Sequence, residues 1–326
     1  MTEPSGLAAH RPTAVPAAQL KVLKDQFLDV PPNEAVTWFH LRRDAYIETA
    51  VWETLSAEKR LAVRAHVVAA ASPGQRVLSH HSAAAIWGIP IVGPWPEKVE
   101  VLVPDDTHGV SPGIQRRRTQ NMPLGVARGG VTVTSAARTA VDLAKLASLA
   151  SAVASLDHVL HHKLAGRADL EAEVRAIPKN ARGRRRALLA VALARHDAES
   201  PAESLSRIRL YEFGMPRPTL QVDFRDAQGF IGRVDMYWPH LDLIGEVDGR
   251  LKYGLPPGAS SDVAADVLWR EKLREDRLRR VADRLTRWTW DDALKREGLR
   301  RALKSTGLRP TFDPSWLELL DERWIA

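Results

Sequence analysis

The chain has 326 residues, a length that favours two domains over a single compact core. Hydrophobic residues make up 44% of the chain and charged residues 27%, which is typical of globular proteins and argues against general disorder. The chain has no cysteine, which excludes disulfides and cysteine-ligated metal sites and fits a reducing cytoplasm. Because it has no signal-peptide pattern and no long apolar run, we expect a cytoplasmic protein that does not span a membrane.

Charge is the first indication of a partner. The net charge is +7, and the segment from Trp269 to Arg309 holds fourteen Lys or Arg against seven Asp or Glu, an excess equal to that of the whole chain. A basic balance of this kind favours a polyanionic partner, nucleic acid first. A solvated helix face rich in arginine is the alternative interpretation.

The N-terminal part of the chain predicts a flexible arm followed by helices. Residues 1–20 are rich in Pro and Ala, which is typical of an arm without a core of its own. Residues 21–70 contain three runs with helical apolar spacing: LKVLKDQFL, AVTWFHLRRDAYI and SAEKRLAVRAHVVAAA. This region therefore predicts a helical arrangement.

A small β region is expected next. The run QRVLSHHSAAAIWGIPI predicts a short helix with Ser79 or Ser82 as its N-cap and Gly88 and Pro90 at its end. Alternating valines in KVEVLVP predict a strand, with GIQRRRT and GVTVT as candidate partner strands. The run TSAARTAVDLAKLA then predicts a helix, so the N-terminal region is expected to be α+β.

The remainder of the chain predicts a helical connector and a second α/β domain. Residues 148–197 contain three helical runs separated by Gly166 and by residues 178–183. After ESPAES, the runs AESLSRIRLYEFG, TLQVDFRD, GRVDMYW, LIGEVDG, a long basic helix and RLTRWTW predict the order α-β-β-β-α-β.

The candidate chemistry lies in GRVDMYWPHLDLIGEVDG, in which two alternating runs flank a short turn and predict a β-hairpin. A turn centred between His240 and Leu241 sets Asp235 directly across from Glu246 on one face of the sheet. Opposed side chains have Cβ atoms about 4.5–5.5 Å apart, so the two carboxylates repel unless one is protonated or a cation lies between them. A hard divalent ion such as Mg²⁺ removes that conflict.

Other residues near the hairpin allow two interpretations each. Asp248 shares the face of Glu246 and either joins the acidic group or pairs with Arg233 on the opposite strand. Glu203, in the preceding helix, either joins the carboxylates or is a first-turn acid stabilised by the helix dipole. Lys252 follows the second strand and is a candidate for positioning an attacking water.

The stretch from about Ser200 to Ala293 resembles the very-short-patch-repair-like endonuclease domain, a branch of the PD-(D/E)XK nuclease superfamily. The resemblance is carried by SPAES, GMPRPTLQVDF, GRVDMYWP, IGEVDGRLKY, EKLREDRLR and RWTWDD, in the family's order and spacing. It implies an αβββαβ restriction-endonuclease-like core whose central hairpin binds Mg²⁺, with Mn²⁺ as the alternative ion.

The same resemblance implies roles for individual residues. It makes Asp235 and Glu246 metal ligands, with the backbone carbonyl of Val247 as the third. It also makes Glu203 the catalytic acid on the first helix, and Gln221 the polar residue of the first strand and a candidate nucleic-acid-binding residue.

Two further positions concern catalysis and DNA contact. The superfamily's lysine two positions after the Glu is Asp248 here, and Lys252 takes the place of the Lys or His that the subgroup carries four residues later. The long helix and the last strand supply candidate nucleic-acid-binding residues, namely Lys272, Arg274, Arg277 and Arg287. For Arg274 and Arg277, an ion pair within the helix is the alternative.

The front half has a second resemblance. The runs VLSHHSAAAIWGIP, KVEVLVP and GVTVTSAARTAVDLAK are similar to the AbiEi-type antitoxin family of type IV toxin–antitoxin systems, over about residues 70–145. Proteins of that family usually begin with a winged-helix DNA-binding unit, which implies DNA and a cognate toxin protein as partners.

These observations predict four segments: an arm at 1–20, an antitoxin-like, DNA-binding-type region at 21–145, a helical connector at 146–197 and a nuclease-like domain at 198–326. The main hypothesis is a metal-dependent DNA endonuclease with an N-terminal targeting or regulatory domain. The alternative is a catalytically inactive DNA-binding antitoxin or transcriptional regulator.

Overall fold

The computed structural model describes residues 21–22, 37–42, 45–71, 76–248 and 261–317. The chain divides into two compact units, an N-terminal unit of residues 1–89 and 93–142 and a C-terminal unit of residues 90–92 and 143–326. None of the described helices combines the length and the apolar character that crossing a bilayer requires.

The N-terminal unit contains a three-stranded and a five-stranded sheet. Its elements are β1 (Lys21–Val22), β2 (Trp38–Arg42), β3 (Ala45–Glu48), α1 (Thr49–Thr54), α2 (Ala57–Ala70), β4 (Val77–Leu78), α3 (His80–Trp87), β5 (Val99–Pro104), β6 (Ile114–Thr119), β7 (Val126–Arg128), β8 (Val131–Val133) and α4 (Ala136–Leu146). The small sheet has the order β1-β3-β2, and the larger sheet has the order β6-β5-β4-β8-β7. The division between the units falls inside α4.

The prediction of a helix over AVTWFHLRRDAYI is wrong. The described residues of this run form the antiparallel strands β2 and β3, with Phe39 opposite Ile47. In β3 the buried residues alternate, Ala45 and Ile47 being buried while Glu48 is exposed. The apolar side chains of this run fit both the helical period of 3.6 residues and the strand period of two. Pairing between the strands therefore decides which of the two structures forms. The helix predicted over LKVLKDQFL lies mostly outside the described residues, which within this run are Lys21 and Val22, and these two form β1.

The helices and strands predicted within residues 56–146 agree with the structure, whereas the arm predicted at residues 1–20 lies outside the described residues. Helix α2 begins after Ser56, whose hydroxyl accepts a hydrogen bond from the Lys59 amide. Helix α3 begins after Ser79 and ends at Gly88, which has a left-handed backbone conformation with φ 74°. The predicted strands KVEVLVP and GIQRRRT pair in parallel as β5 and β6, with Val99 beside Ile114.

The C-terminal unit begins with a helical layer and continues into a mixed sheet. Its elements after α4 are α5 (Leu149–His161), α6 (Arg167–Arg175), α7 (Arg184–Leu193), α8 (Pro201–Glu212), β9 (Thr219–Asp226), β10 (Gly229–Trp238), β11 (Leu243–Asp248), α9 (Ser261–Val281), β12 (Arg284–Thr289), α10 (Trp290–Leu294) and α11 (Glu297–Leu303). The three predicted helices of residues 148–197 are therefore confirmed as α5, α6 and α7.

The predicted α-β-β-β-α-β order is also observed, as α8-β9-β10-β11-α9-β12. The four strands form one sheet in the order β12-β11-β10-β9. Strands β9, β10 and β11 are antiparallel neighbours, whereas β12 runs parallel to β11. A parallel neighbour requires a crossover connection, and α9 lies in that connection.

Two tryptophans fix one face of this sheet. Trp238 is fully buried and donates its indole N–H to the carbonyl of Pro216, and Trp288 donates its own to the hydroxyl of Ser206 in α8. A Cβ at Gly245 would lie 2.7 Å from the Trp288 ring and 2.9 Å from the Trp238 ring. Glycine is therefore required at this position of β11 so that both rings can pack against the strand.

A buried ion pair joins α5 to α8. Asp157 is 1% exposed and Arg207 is 3% exposed. The Asp157 carboxylate accepts from Arg207 at 2.7 Å, from the Ser204 hydroxyl at 2.7 Å and from the Arg195 backbone N–H at 2.6 Å. Burial raises the pKa of Asp157, and the attraction of Arg207 opposes that shift. The pair thus holds the connector helices against the first helix of the αβββαβ unit.

Replacing Arg207 with Gln is expected to reduce the free energy of unfolding by about 3–5 kcal/mol, because a buried carboxylate loses its counter-charge. The matched control is Arg175→Gln, since Arg175 pairs with Glu171 on a side chain that is 61% exposed; we expect it to cost less than about 1 kcal/mol. Chemical denaturation measures both. If both variants lost an equally small amount of unfolding free energy, Asp157 would be protonated in the folded protein.

Candidate functional site

The predicted hairpin forms with the predicted register. Strands β10 and β11 pair Met236 with Gly245 and Tyr237 with Ile244. The next position of the same register sets Asp235 opposite Glu246. The Val247 backbone N–H, one residue further, donates to the Asp235 carboxylate at 2.8 Å. The observed pairing confirms the predicted register for residues 236–238 with 243–245, and the direct meeting of Asp235 with Glu246 one position further stays a prediction.

Glu246 is neutralised by two arginines. It is 5% exposed, and its Oε2 accepts from Arg287 Nε at 3.0 Å and Nη2 at 2.7 Å. Its Oε1 accepts from Arg274 Nη2 at 2.5 Å. Arg287 is the neighbour of Glu246 in the parallel pairing of β11 with β12, and Arg274 comes from α9. Two guanidinium groups thus occupy both carboxylate oxygens.

Asp235 has a different environment from its partner. Burial raises its pKa to about 7, and repulsion by Glu203 and Glu246 adds to the shift. The hydrogen bond from the Val247 N–H and the attraction of Arg274 oppose it without restoring the ordinary value. The two acids therefore have different surroundings: Glu246 accepts hydrogen bonds from two arginines, whereas burial and neighbouring acids raise the pKa of Asp235.

Glu203 lies at the first turn of α8 and is 6% exposed. Its Oε1 accepts from the Ser200 hydroxyl at 2.7 Å, and its Oε2 accepts from the Gln221 side-chain amide at 2.7 Å. The Ser200 hydroxyl in turn accepts from the Glu203 backbone N–H at 3.2 Å, which is the geometry of a helix cap. Burial raises the pKa of Glu203. Glu203 is thus a first-turn acid bonded to the N-cap Ser200, and its repulsion also contributes to the raised pKa of Asp235.

Asp248 does not pair with Arg233, the alternative that the register allowed. Arg233 donates to Asp223 on β9 at 2.8 Å and lies 3.8 Å from Glu199. The Asp248 side chain is 50% exposed and lies 3.8 Å from Arg287. Burial raises the pKa of Asp248, and Arg287 opposes the shift. Asp248 is therefore a peripheral member of the acidic group.

The remaining predicted residues are dispersed. Arg277 binds Asp226 of β9 with two hydrogen bonds of 2.8 and 2.5 Å, and not an acid of its own helix. Lys272 is exposed on α9. Lys252 lies outside the described residues.

Sequence reasoning missed the part that α9 plays in the site. Arg287 contacts Glu275 at 3.1 Å and Glu271 at 2.5 Å, in addition to Glu246. Glu271, Arg274 and Glu275 are spaced three and four residues apart, so they share one face of the helix. That spacing was the available signal, although nothing in the sequence alone brings this face to β12.

The arrangement does not fit a bound Mg²⁺. The two oxygens of Glu246 accept from arginines, and one oxygen of Asp235 accepts from the Val247 amide. Within the described ranges, no three His, Cys, Asp or Glu side chains lie together in a way that could hold a metal ion. A divalent ion would have to displace guanidinium groups that already neutralise the same carboxylate.

Comparison with known proteins supports the resemblance of the front half. Residues 77–191 match the family of the AbiEi antitoxin C-terminal domain. The match extends beyond residue 145, where the sequence resemblance ended, through α5, α6 and most of α7. It ends before the acidic hairpin, and it covers about a third of the chain.

Two curated proteins of Mycobacterium tuberculosis are similar to this chain, uncharacterized protein MT2308 and uncharacterized protein Rv2248. Each is 32% identical over 153 residues, which cover 43% of this chain and 54% of the relative. The chain therefore spans about half the length of the curated relatives it matches. No solved structure matches the chain.

The raised pKa of Asp235 predicts a pH-dependent effect of Asp235→Asn. Above about pH 7 the folded protein carries a carboxylate that is more stable in the unfolded chain, whereas below about pH 4 the group is neutral in both states. Asn removes this penalty, so the gain in unfolding free energy should grow from about pH 4 to about pH 7, level off above that and reach about 4 kcal/mol, the equivalent of roughly three pKa units. Denaturation at each pH measures this gain.

The control for this prediction is Asp223→Asn, which removes an acid that pairs with Arg233 on the neighbouring strand and is 42% exposed. We expect it to be neutral or slightly destabilising at every pH. A gain for Asp235→Asn that is independent of pH would contradict the assigned pKa shift.

Arg274 and Arg287 together form an arginine clamp on Glu246. We therefore expect the effects of mutations in these three residues on the free energy of unfolding to be strongly coupled. Arg287→Gln should cost about 2–4 kcal/mol, because it leaves a buried carboxylate short of a counter-charge. Adding Glu246→Gln should recover at least about 1 kcal/mol, since the uncompensated charge is removed. A double-mutant cycle by chemical denaturation measures the coupling.

The matched control here is Arg279→Gln on α9, whose side chain is 52% exposed and pairs with Glu275. It should cost less than about 1 kcal/mol. Additive effects of Arg287→Gln and Glu246→Gln would show that the two side chains do not interact in solution.

Proposed function

We propose that the protein is a cytoplasmic DNA-binding regulator of the antitoxin type, whose C-terminal unit has a nuclease-like core that does not cleave DNA. The observation that carries this proposal is the clamp on Glu246, in which Arg274 and Arg287 take both carboxylate oxygens. The family match over residues 77–191 supports the antitoxin part. DNA and a cognate toxin protein are the proposed partners.

The nuclease-like part of the proposal rests on the resemblance to the very-short-patch-repair-like domain. The strand and helix order α8-β9-β10-β11-α9-β12 and the acidic hairpin are what that resemblance implies. In place of a divalent cation, two arginines supply positive charge to the acid pair. A core stabilised in this way keeps its fold without metal and has no free carboxylate oxygen on Glu246 for a metal ion.

Mg²⁺-dependent DNA cleavage is the competing function, and one observation favours it. Asp235 keeps a pKa near 7 because the two arginines do not compensate it fully. A cation that reached Asp235 would lower that pKa and stabilise the hairpin. In that case Asp235 and Glu246 would be the ligands, with Glu203, Asp248 and Lys252 beside them.

A single set of assays separates the two functions. The full chain is incubated with supercoiled plasmid in Mg²⁺, in Mn²⁺ or in EDTA, alongside Asp235→Ala and Glu246→Ala, and duplex binding is measured over a range of salt concentrations. We expect no nicking by any of the three proteins and binding that weakens steeply with salt.

Nicking by the wild type that both variants lose would overturn the proposal in favour of the nuclease. Nicking that persists in both variants would come from a contaminant. Thermal unfolding adds an independent readout: stabilisation by Mg²⁺ in the wild type and not in Asp235→Asn would identify the hairpin as a metal site after all.

A further inference from the structure

Three histidines lie together at the C-terminal end of α5, namely His158, His161 and His162. The ring centres of His158 and His162 are 4.2 Å apart, and those of His161 and His162 are 5.0 Å apart. His158 is half-buried and His162 is exposed, so the pair is open to solvent on one side. Imidazole is a common metal ligand in proteins, and the proposed function assigns no role to this cluster.

The helix itself sets the distance between His158 and His162. Residues four apart lie one above the other on the same face of an α-helix. The backbone N–H of His162 donates to the carbonyl of His158 at 3.0 Å, so the helical turn that separates the two residues is complete. The two zinc-binding histidines of an H-E-x-x-H motif use the same spacing. The backbone therefore holds both rings on one side of the helix before any ion is bound.

Both rings have a nitrogen without a proton at neutral pH. Burial lowers the pKa of His158 to about 4, and repulsion by His162 and His161 adds to the shift. Burial also lowers the pKa of His162, with the repulsion of His161 as the second cause. A neutral imidazole has one unprotonated nitrogen that can bind a metal ion. Within the part of the chain that the structure describes, no hydrogen bond occupies a ring nitrogen of His158 or His162.

His161 has a different environment from the other two. Its Nδ1 lies 3.0 Å from the backbone carbonyl of His196, and only a protonated nitrogen can donate to that oxygen. Its ring is nearly perpendicular to that of His162, at 85°. Among the described residues, no three side chains of the metal-binding types converge on a point that could hold an ion. One ion at this cluster therefore takes two protein ligands.

The end of a helix also favours positive charge. The last carbonyl groups of an α-helix have no partner within the helix and carry a partial negative charge. His162 is the C-cap residue of α5, so an ion on its ring lies near those carbonyl groups. The electrostatics of the helix thus act in the same direction as the ligand geometry.

We propose that His158 and His162 together bind one divalent transition-metal ion of the Zn²⁺ type, with water in the remaining coordination positions. Imidazole nitrogen suits Zn²⁺, Ni²⁺ and Cu²⁺, whereas Mg²⁺ prefers oxygen ligands. The ion joins two successive turns of α5 beside Asp157, the acid of the buried ion pair with Arg207. Metal binding here stabilises the helical layer and is independent of the acidic hairpin and of DNA binding.

The test titrates Zn²⁺ into the full chain, prepared without a histidine tag, and follows binding by isothermal titration calorimetry and stability by thermal unfolding. We expect Zn²⁺ to bind the wild type and to raise its unfolding temperature. His158→Gln and His162→Gln should each weaken binding by at least about tenfold, the loss that even a residue supporting a metal ligand causes. His162 is exposed, so its variant remains informative if His158→Gln reduces stability by itself.

The matched control is His240→Gln, which removes an exposed histidine of the same unit that has no histidine four residues before or after it. It should leave the affinity for Zn²⁺ unchanged. Equal affinities in the wild type, the control and both pair variants would overturn the inference. A loss in one pair variant alone would also overturn it, because a shared ion requires both rings. Saturation at millimolar Zn²⁺ only would indicate adventitious binding and would have the same consequence.

Nitrogen-15 NMR of the histidine rings in the wild type gives a readout that does not depend on the stability of any variant. Zn²⁺ should shift one ring nitrogen of His158 and one of His162 at the same metal concentration. Shifts confined to other histidines would show that the ion binds elsewhere, and the assignment to this pair would be wrong.

Discussion

A carboxylate as deeply buried as that of Glu246 is stable only with counter-charges, and the C-terminal unit supplies them from two separate elements. Arg287 reaches it from β12 and Arg274 reaches it from α9. The crossover helix and the last strand are thereby attached to the central strand of the sheet. The chemistry open to the hairpin depends on the same contacts, because both oxygens of Glu246 already accept hydrogen bonds from guanidinium groups.

The two acids of the hairpin carry the same functional group but have different surroundings. Glu246 lies beside a parallel strand that carries an arginine, whereas Asp235 lies toward Glu203 and accepts a backbone amide of its own hairpin. The pKa of Asp235 is raised to about 7 as a consequence, first by burial and then by the repulsion of Glu203. An acid pair of this kind resembles a catalytic centre in sequence, yet its electrostatics are those of a closed ion-pair network.

The charge of the C-terminal unit depends on pairing as well as on the number of basic residues. The sequence concentrates its excess of basic residues between Trp269 and Arg309, which suggested a DNA-binding helix there. Arginines of that segment instead pair with acids of the same unit, as Arg277 does with Asp226. An excess of basic residues in a segment therefore does not by itself identify a surface that binds a polyanion.

Local patterns in the sequence were sufficient for most elements and for the register of the hairpin. Period-two alternation and a short turn determine which residues oppose each other, so Asp235 and Glu246 were predictable. The same local reasoning failed for β2 and β3, because aromatic and apolar residues at 38–48 satisfy both periods and strand pairing decides between them. Contacts between distant elements have no local signature in the sequence. Only the packing of α9 and β12 brings Arg274 and Arg287 onto Glu246, so that arginines bind the carboxylate for which the sequence predicted a metal ion.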